Sequence, residues 1–552
     1  MRPSGESALN ARISPEISRR GFIGGSLAWS AAMTQSLPSA SAQAPERQRP
    51  NFLIIVADDM GFSDPGCYGG EVHTPNLDRL ARGGVRFTQA YSTARCWPSR
   101  TCLLTGYYAQ QVRMDPPKGR LPRWTRVLPD YLKRAGYRCY HSGKWHLMGA
   151  PKPVADGHFD RSYVIHDHNR FFDPDDHQLD DAPLPPIRRD SGFYLTTEIA
   201  NRGIEFLAEH HAHHAATPFC LYLAFTSPHF PLQAPPADIE RYRDRYQSGW
   251  DRVRKERWQR LRDAGLIRCP LPPAEPDIAP AWNMSPEELQ REIGPGEVAR
   301  AVPWDTLSSE QQIFQARKMA IHAAMVSRMD AEIGRALDQI ERMGAMENTV
   351  IVFVSDNGAS AEQIIRGDMH DPARPMGSAG TFLCLGPGWS TASNTPFRLH
   401  KSWVHEGGIA SPFIVHWPRG IPTGGGLRHT PCHVIDLIPT LCDLAGASVE
   451  PEWNGVTAPA LPGRSLVRAF RSDAPIARPY LYFHHIGNRA LRMGDWKLVA
   501  AAKEPWELYD MRGDRSEMRD RAARETARVA EMERIWQQCD REFAAQAGPA
   551  EG

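Results

Sequence analysis

Two short segments of the chain are apolar at nearly every position, and polar residues follow each of them directly. Residues 52–57 read FLIIVA and precede two aspartates, while residues 350–355 read VIVFVS and precede an Asp-Asn pair. Continuous apolar runs of this length are typical of strands buried on both faces of a sheet. We therefore predict two central strands with polar side chains at their carboxyl ends.

Helical patterns accompany these strands. Residues 74–81 begin with Pro and polar residues and end before Gly83 and Gly84, which are common start and stop signals of a helix. Residues 319–343 form a second helical pattern that leads into the second strand. This succession predicts an α/β fold with a large, mostly parallel central sheet flanked by helices. Ligands bind outside the carboxyl ends of such strands, so the two polar pairs are expected to meet there.

The composition changes twice along the chain. Residues 235–306 are rich in Pro, Arg and Trp and have no clear strand pattern, so we interpret them as an insertion that covers the sheet or shapes a cleft. This insertion interrupts a main α/β domain over residues 50–446. Residues 447–552 contain short alternating segments and an amphipathic pattern at residues 519–543, which predict a smaller α+β unit closed by a helix.

The first 42 residues are predicted to be an export signal. The pair Arg19-Arg20 is followed by a weakly apolar stretch and by the small residues Ala40, Ser41 and Ala42. This order is typical of a twin-arginine signal cleaved after Ala42, with the twin-arginine translocase as a transient partner and the periplasm as the destination. Because this route carries folded protein, any cofactor or modification would be installed in the cytoplasm.

The charged residues argue against a nucleic-acid-binding protein and against an integral membrane protein. Lys and Arg number 65 against 64 Asp and Glu, so the chain lacks the excess positive charge that non-specific nucleic-acid binding requires. Charged residues make up 23% of the chain, and no apolar run reaches the roughly 18 to 20 residues that span a bilayer. We expect no nucleic-acid partner and no integral membrane segment.

The polar residues at the two strand ends are candidate metal ligands. Asp58, Asp59, Asp356 and Asn357 offer only hard oxygen donors, which suit Ca²⁺ better than a softer metal. Either pair alone would more simply cap a helix that follows its strand, but the two pairs together favour a cation site.

Two other polar clusters could also bind metal ions. A histidine-rich tract at the end of a helical stretch more simply forms a solvated turn, and an acidic segment more simply forms a polar loop at the rim of a cleft. The two clusters are His210, His211, His213 and His214, and Asp173, Asp175, Asp176 and His177.

Five motifs occur in order along most of the chain after the export signal. They are CWPSR at residues 96–100, GKWHL at 143–147, SPH at 227–229, SDNG at 355–358 and KSWVHEGG at 401–408. In this combination the chain resembles the formylglycine-dependent (type I) sulfatases of the alkaline-phosphatase-like superfamily, and among them the bacterial arylsulfatases most.

The resemblance implies that Cys96 is oxidised to formylglycine by a formylglycine-generating enzyme. Hydration of the aldehyde would give a geminal diol, in which one hydroxyl would bind the cation and attack sulfur, so that the bond from sulfur to the ester oxygen breaks and the alcohol departs. Deprotonation of the other hydroxyl would re-form the aldehyde and expel sulfate, which neither a serine nor a thiol could do. The modified Cys96 therefore joins Asp58, Asp59, Asp356 and Asn357 in the implied ligand set.

The resemblance also implies roles for five further residues. Arg100, which a helix starting after Pro98 would bring near Cys96, holds the hydrated aldehyde, and His146 lies beside the diol. Lys144, His229 and Lys401 surround the sulfate oxygens and the leaving group. Either His229 or Lys401 protonates the departing alcohol. The i, i+2 spacing of Lys144 and His146 predicts that both lie on one side of an extended segment.

Three functions follow from these residues. The first is a sulfuric ester hydrolase that cleaves aryl or carbohydrate sulfate monoesters. The second is a phosphonate monoester or phosphodiester hydrolase that uses the same nucleophile. The third is an unmodified binding protein for sulfated glycans, which retention of every implied site residue disfavours.

Overall fold

The structure is a computed structural model that describes residues 49–147 and 151–549. The predicted export signal at residues 1–42 lies outside the described residues. In the described part, the strands in chain order are β1 (Asn51–Ala57), β2 (Val85–Phe87), β3 (Ala90–Tyr91), β4 (Arg138–Lys144), β5 (Arg161–Ile165), β6 (His177–Leu179), β7 (Ala182–Pro183), β8 (Phe219–Ala224), β9 (Thr349–Ser355), β10 (Phe413–His416), β11 (Gly426–Arg428), β12 (Cys432–His433), β13 (Glu452–Trp453), β14 (Val456–Thr457), β15 (Leu481–His485), β16 (Asn488–Met493), β17 (Trp496–Ala500) and β18 (Glu507–Asp510).

The helices pack on both faces of the main sheet and against the C-terminal strands. In chain order, those in the described residues are α1 (Pro75–Gly83), α2 (Cys96–Thr105), α3 (Leu128–Lys133), α4 (Leu195–His214), α5 (Pro236–Glu240), α6 (Gly249–Asp263), α7 (Pro286–Glu292), α8 (Ser309–Arg342), α9 (Gly386–Ser393), α10 (Glu406–Ile409), α11 (Leu437–Ala445), α12 (Val467–Arg471) and α13 (Thr526–Ala547).

The main sheet has ten strands in the order β11-β2-β10-β9-β1-β8-β4-β5-β6-β7. Its five central strands, from β9 to β5, run parallel, whereas β10, β6 and β7 join antiparallel. The predicted α/β class is confirmed, and the sheet is parallel at its centre and mixed toward its edges. The two predicted strands are β1 and β9, and they pair directly, with Ala57 opposite Ser355. Their carboxyl ends therefore lie side by side.

Three helix boundaries differ from the sequence prediction. Helix α2 begins at Cys96 rather than after Pro98, so the first turn of the helix includes the cysteine itself. Helix α8 begins at Ser309, ten residues before the predicted start, because Ser308 and Gln311 form a capping box there. Helix α13 begins at Thr526, since the chain before it forms turns.

The insertion and the C-terminal segment both contact the main domain. Residues 235–306, the segment interpreted as an insertion, contain helices α5 to α7 and no strand. Strands β15 to β18 form a separate antiparallel sheet, and its apolar residues are divided between the two core clusters that also include residues of the main sheet. In the described part of the chain, no helix is long and apolar enough to cross a membrane.

Candidate active site

The ends of β1 and β9 bring four polar side chains into one buried cluster. The backbone N–H of Asp59 donates to Asp356 Oδ1 at 3.2 Å, and Asn357 Nδ2 donates to Asp59 Oδ1 at 2.7 Å. Asp59 has a φ of 65°, a conformation that the sharp turn after β1 imposes. All four residues are buried, so the predicted meeting of Asp58, Asp59, Asp356 and Asn357 is present in the fold.

Three cationic side chains neutralise these carboxylates. Lys144 Nζ lies 2.6 Å from Asp58 Oδ2, and Lys401 Nζ lies 2.8 Å from Asp59 Oδ2. Arg100 Nε donates to Asp356 Oδ2 at 2.8 Å, while its Nη2 lies 3.6 Å from Asp58 Oδ2. Unlike surface pairs, these ion pairs are shielded from water, so each interacts more strongly than a solvated pair.

Cys96 lies at the start of α2 and faces this cluster. Its side chain is buried, and burial raises the pKa of the thiol, with Lys144 and Lys401 acting in the opposite direction. Asp58 and Asp356 also act on the thiol electrostatically. A thiol with a raised pKa is a poor nucleophile at neutral pH.

The cluster has the properties of a cation site. Asp58 Oδ1 and Asn357 Oδ1 are buried acceptors that have no hydrogen-bond partner among residues 49–147 and 151–549. Asp58, Asp59 and His229 each bring a ligand atom within 4.8 Å of the others, the one such group of His, Cys, Asp or Glu found in the described residues. Burial, together with the charge of Asp58, raises the pKa of Asp356 to about 7. Hard oxygen donors with two unpaired acceptors fit Ca²⁺.

The predicted histidines lie beside the carboxylates. His229 Nε2 is 3.7 Å from Asp59 Oδ2. His146 has a φ of 49°, and β4 ends at Lys144, so the prediction of one extended segment for these two residues is wrong. The left-handed turn directs the His146 ring to within 6.1 Å of Trp97. Burial and nearby lysines hold the pKa of both histidines well below the usual range.

Sequence reasoning missed a third imidazole at the site. The His168 ring lies 5.3 Å from that of His146 and 5.6 Å from that of His229. Burial also holds the pKa of His168 well below its usual range. His168 lies in the polar loop after β5. The acidic residues of this loop, Asp173, Asp175 and Asp176, are the sequence feature that could have indicated a residue near the site.

Sequence reasoning also missed the surroundings of Lys401. Glu362 Oε2 lies 3.5 Å from Lys401 Nζ, and Glu362 Oε1 accepts hydrogen bonds from Arg95 at 3.1 Å and Trp282 at 2.9 Å. Glu362 is buried, and despite this burial Lys401 and Arg95 lower its pKa to about 2. The insertion therefore contributes to the site through Trp282.

The two alternative metal clusters have structural partners. His210 is buried at the end of α4 and contacts Tyr140 and the carbonyl of Thr217, so the histidine tract ends a helix rather than forming a turn. Asp173 pairs with Arg189 at 2.7 Å, and His177 lies in β6.

Comparison with known proteins decides the family. The profile of the sulfatase family, described as "Sulfatase", matches residues 50–447. The chain belongs to the sulfatase family. A second profile, "N-sulphoglucosamine sulphohydrolase, C-terminal", matches residues 397–542 of this sulfatase.

Relatives and solved structures agree with this membership. An uncharacterized sulfatase of Schizosaccharomyces pombe is 32% identical over 527 residues, which cover 86% of this chain and 91% of the relative. An arylsulfatase of Klebsiella aerogenes is 31% identical over 468 residues, covering 78% and 94% of the two chains. The crystal structure of Ps i-CgsB in complex with k-i-k-neocarrahexaose has the same fold, with a TM-score of 0.64 at 23% identity, and covers 91% of this chain and 95% of that chain. The chain is thus a sulfatase, an enzyme of sulfate ester hydrolysis.

Proposed function

We propose that this sulfatase cleaves aryl or carbohydrate sulfate monoesters with a hydrated formylglycine made from Cys96, and with Ca²⁺ at the strand ends. The observation that supports this most directly is the convergence of Arg100, Lys144 and Lys401 with three buried carboxylates around Cys96. Because the carboxylates alone would repel a sulfate ester, the site requires compensating positive charge.

The charge count supports a monoanionic substrate. Three cationic side chains offset the three carboxylates, so a divalent cation leaves the site net positive. Each unit charge pair at about 4 Å contributes roughly 4 kcal/mol at an effective dielectric of about 20. Contacts of this size, if stronger in the transition state, account for a large part of a rate enhancement.

Asp58, Asp59, Asp356 and Asn357 would hold the cation. When bound, it would neutralise sulfate charge and lower the pKa of a hydroxyl on residue 96. The unpaired Oδ1 atoms of Asp58 and Asn357 support this assignment, since a buried acceptor without a partner is costly.

The remaining roles follow from position. Arg100, bonded to Asp356 and to the carbonyls of Lys144 and Phe225, fixes the strand ends against the nucleophile. Lys144 and Lys401 bind sulfate oxygens from two sides. His229 Nε2 and Lys401 Nζ lie 3.7 Å and 2.8 Å from the same oxygen, Asp59 Oδ2, and we assign protonation of the departing alcohol to one of these two residues.

Export and modification belong to the same proposal. We expect a formylglycine-generating enzyme to act on Cys96 before the twin-arginine translocase delivers the folded protein to the periplasm. Cys96 is buried in the folded chain, so the modifying enzyme would act before folding is complete.

The test compares kcat/KM for 4-nitrophenyl sulfate with that for a matched aryl phosphonate monoester. We expect the sulfate to be the better substrate and Cys96→Ala to abolish both activities. A clear preference for the phosphonate would contradict the sulfatase proposal and favour a phosphonate monoester or phosphodiester hydrolase instead. Turnover by Cys96→Ala at the wild-type rate would refute the nucleophile assignment.

A further inference from the structure

Trp282 combines high exposure with a fixed orientation. Its side chain is 44% exposed, which is unusual for a large aromatic residue, yet its Nε1 donates to the buried carboxylate of Glu362 at 2.9 Å. The next residue, Asn283, bonds the carbonyl of Ala361 and the N–H of Gln363, each at 3.0 Å. The indole is therefore held in place against the loop that follows Asp356 and Asn357 while nearly half of the residue stays exposed to solvent.

The position of Trp282 links it to the nucleophile and to Lys401. Glu362, which accepts the indole N–H, contacts Lys401 Nζ with its other oxygen at 3.5 Å. The Arg95 guanidinium lies between two indoles, 5.6 Å from the Trp282 ring and 5.3 Å from the Trp97 ring. Arg95 and Trp97 directly flank Cys96 in the chain. Trp282 is thus connected to Lys401 through the carboxylate of Glu362, and to Trp97, the residue after Cys96, through the guanidinium of Arg95.

We infer that Trp282 is a specificity-determining residue that stacks on the ring of the alcohol portion of the substrate. The inference rests on the proposed function, because the ring attached to the ester oxygen can reach Trp282 only when the sulfate group is bound at Cys96. A six-membered ring, either aryl or pyranose, presents the flat apolar face that an indole covers well. The ordered indole makes this contact at little cost in side-chain entropy.

The test uses two variants of Trp282 and one matched control. Trp282→Ala removes the ring, and Trp282→Phe keeps an aromatic ring but loses the bond to Glu362. The control is Trp258→Ala in the same insertion, because Trp258 also has an arginine over its ring, Arg262 at 4.8 Å, and a bonded N–H, to the carbonyl of Cys269 at 3.1 Å. KM and kcat are measured with 4-nitrophenyl sulfate and with a pyranose 6-sulfate, and inhibition is measured with inorganic sulfate, which carries no ring.

We expect Trp282→Ala to raise KM by about 3- to 10-fold for at least one ring ester, with a small change in kcat and an unchanged inhibition constant for inorganic sulfate. Trp282→Phe should stay near wild type, as should Trp258→Ala. The ester whose KM responds identifies the source of the ring. An unchanged KM for both esters would overturn the inference, and so would equal losses in the Phe and Ala variants, because those would indicate a role through Glu362.

Dissociation constants of the same esters, measured with Cys96→Ala and with Cys96→Ala combined with Trp282→Ala, separate the two proposals. A larger dissociation constant in the double variant than in Cys96→Ala supports stacking even if the wild type shows no turnover. Equal constants overturn stacking, even if the wild type is an active sulfatase.

Discussion

Glu406 is a buried carboxylate whose neutralisation should destabilise the fold by a predictable amount. It accepts hydrogen bonds from Lys497 Nζ at 3.0 Å, Arg515 Nη2 at 2.9 Å and the Tyr91 hydroxyl at 3.0 Å. Burial acts to raise its pKa, but Lys497 and Arg515 outweigh it and lower the pKa from 4.5 to about 2. A shift of this size corresponds to about 3 kcal/mol of folding free energy at neutral pH. Glu406→Gln should therefore lower the free energy of unfolding at neutral pH by about 3 kcal/mol.

The sign of the pH dependence follows from the lowered pKa. The contribution of Glu406 is complete above the unfolded pKa near 4.5 and is lost as the pH falls toward the folded pKa of about 2. The difference in unfolding free energy between the wild type and Glu406→Gln should thus be largest at pH 7 and fall to about two fifths of that value by pH 3.

The assay is urea unfolding at pH 7, 5 and 3. Glu341→Gln is the matched control, because Glu341 pairs with Arg79 at 2.9 Å while both side chains are nearly half exposed. We expect the control to change stability by less than about 1 kcal/mol at any pH. Equal effects of the two substitutions, or a Glu406 effect that does not vary with pH, would show that the Glu406 charge does not stabilise the fold.

Three further predictions concern the site. Arg100→Met should lower kcat/KM for 4-nitrophenyl sulfate by about 10²- to 10³-fold, with partial recovery in Arg100→Lys; an active Met variant would contradict the role of Arg100. Removal of divalent cations with EGTA should lower the melting temperature by calorimetry, and Asn357→Leu should reduce this calcium-dependent shift, whereas an equal shift would place the cation elsewhere. Of His229→Ala and Lys401→Ala, the variant that lost the proton donor should be impaired most with alcohols of high pKa; equal losses across a series of leaving groups would exclude both.

The central geometry could be predicted from the sequence because it depends on strand pairing. Two apolar runs that end in polar residues predict neighbouring parallel strands, and the register of β1 on β9 does place Asp58 beside Asp356. The motif that begins at Cys96 predicted the position of the nucleophile beside these two strand ends. The predicted helix start after Pro98 was wrong, because Arg95 caps the helix and its first turn includes Cys96.

The surroundings of the site could not be predicted because loops supply them. His168, Glu362 and Trp282 lie in segments without periodicity, and their contacts join residues far apart in the chain. Glu362 follows the SDNG motif by four positions, which could have marked it as a residue near the cation ligands. Trp282 gave no such signal, because nothing in a Pro-rich insertion distinguishes an exposed Trp from a buried one such as Trp250.

The mass of the Cys96 peptide shows whether the cysteine is oxidised to formylglycine. Trypsin cleaves after Arg95 and Arg100, so residues 96–100 form one peptide of protein purified from the periplasm of its native host. We expect the mass of a peptide with an aldehyde in place of the CH₂–SH side chain. A peptide with an intact thiol, from protein that nevertheless hydrolyses sulfate esters, would contradict this expectation.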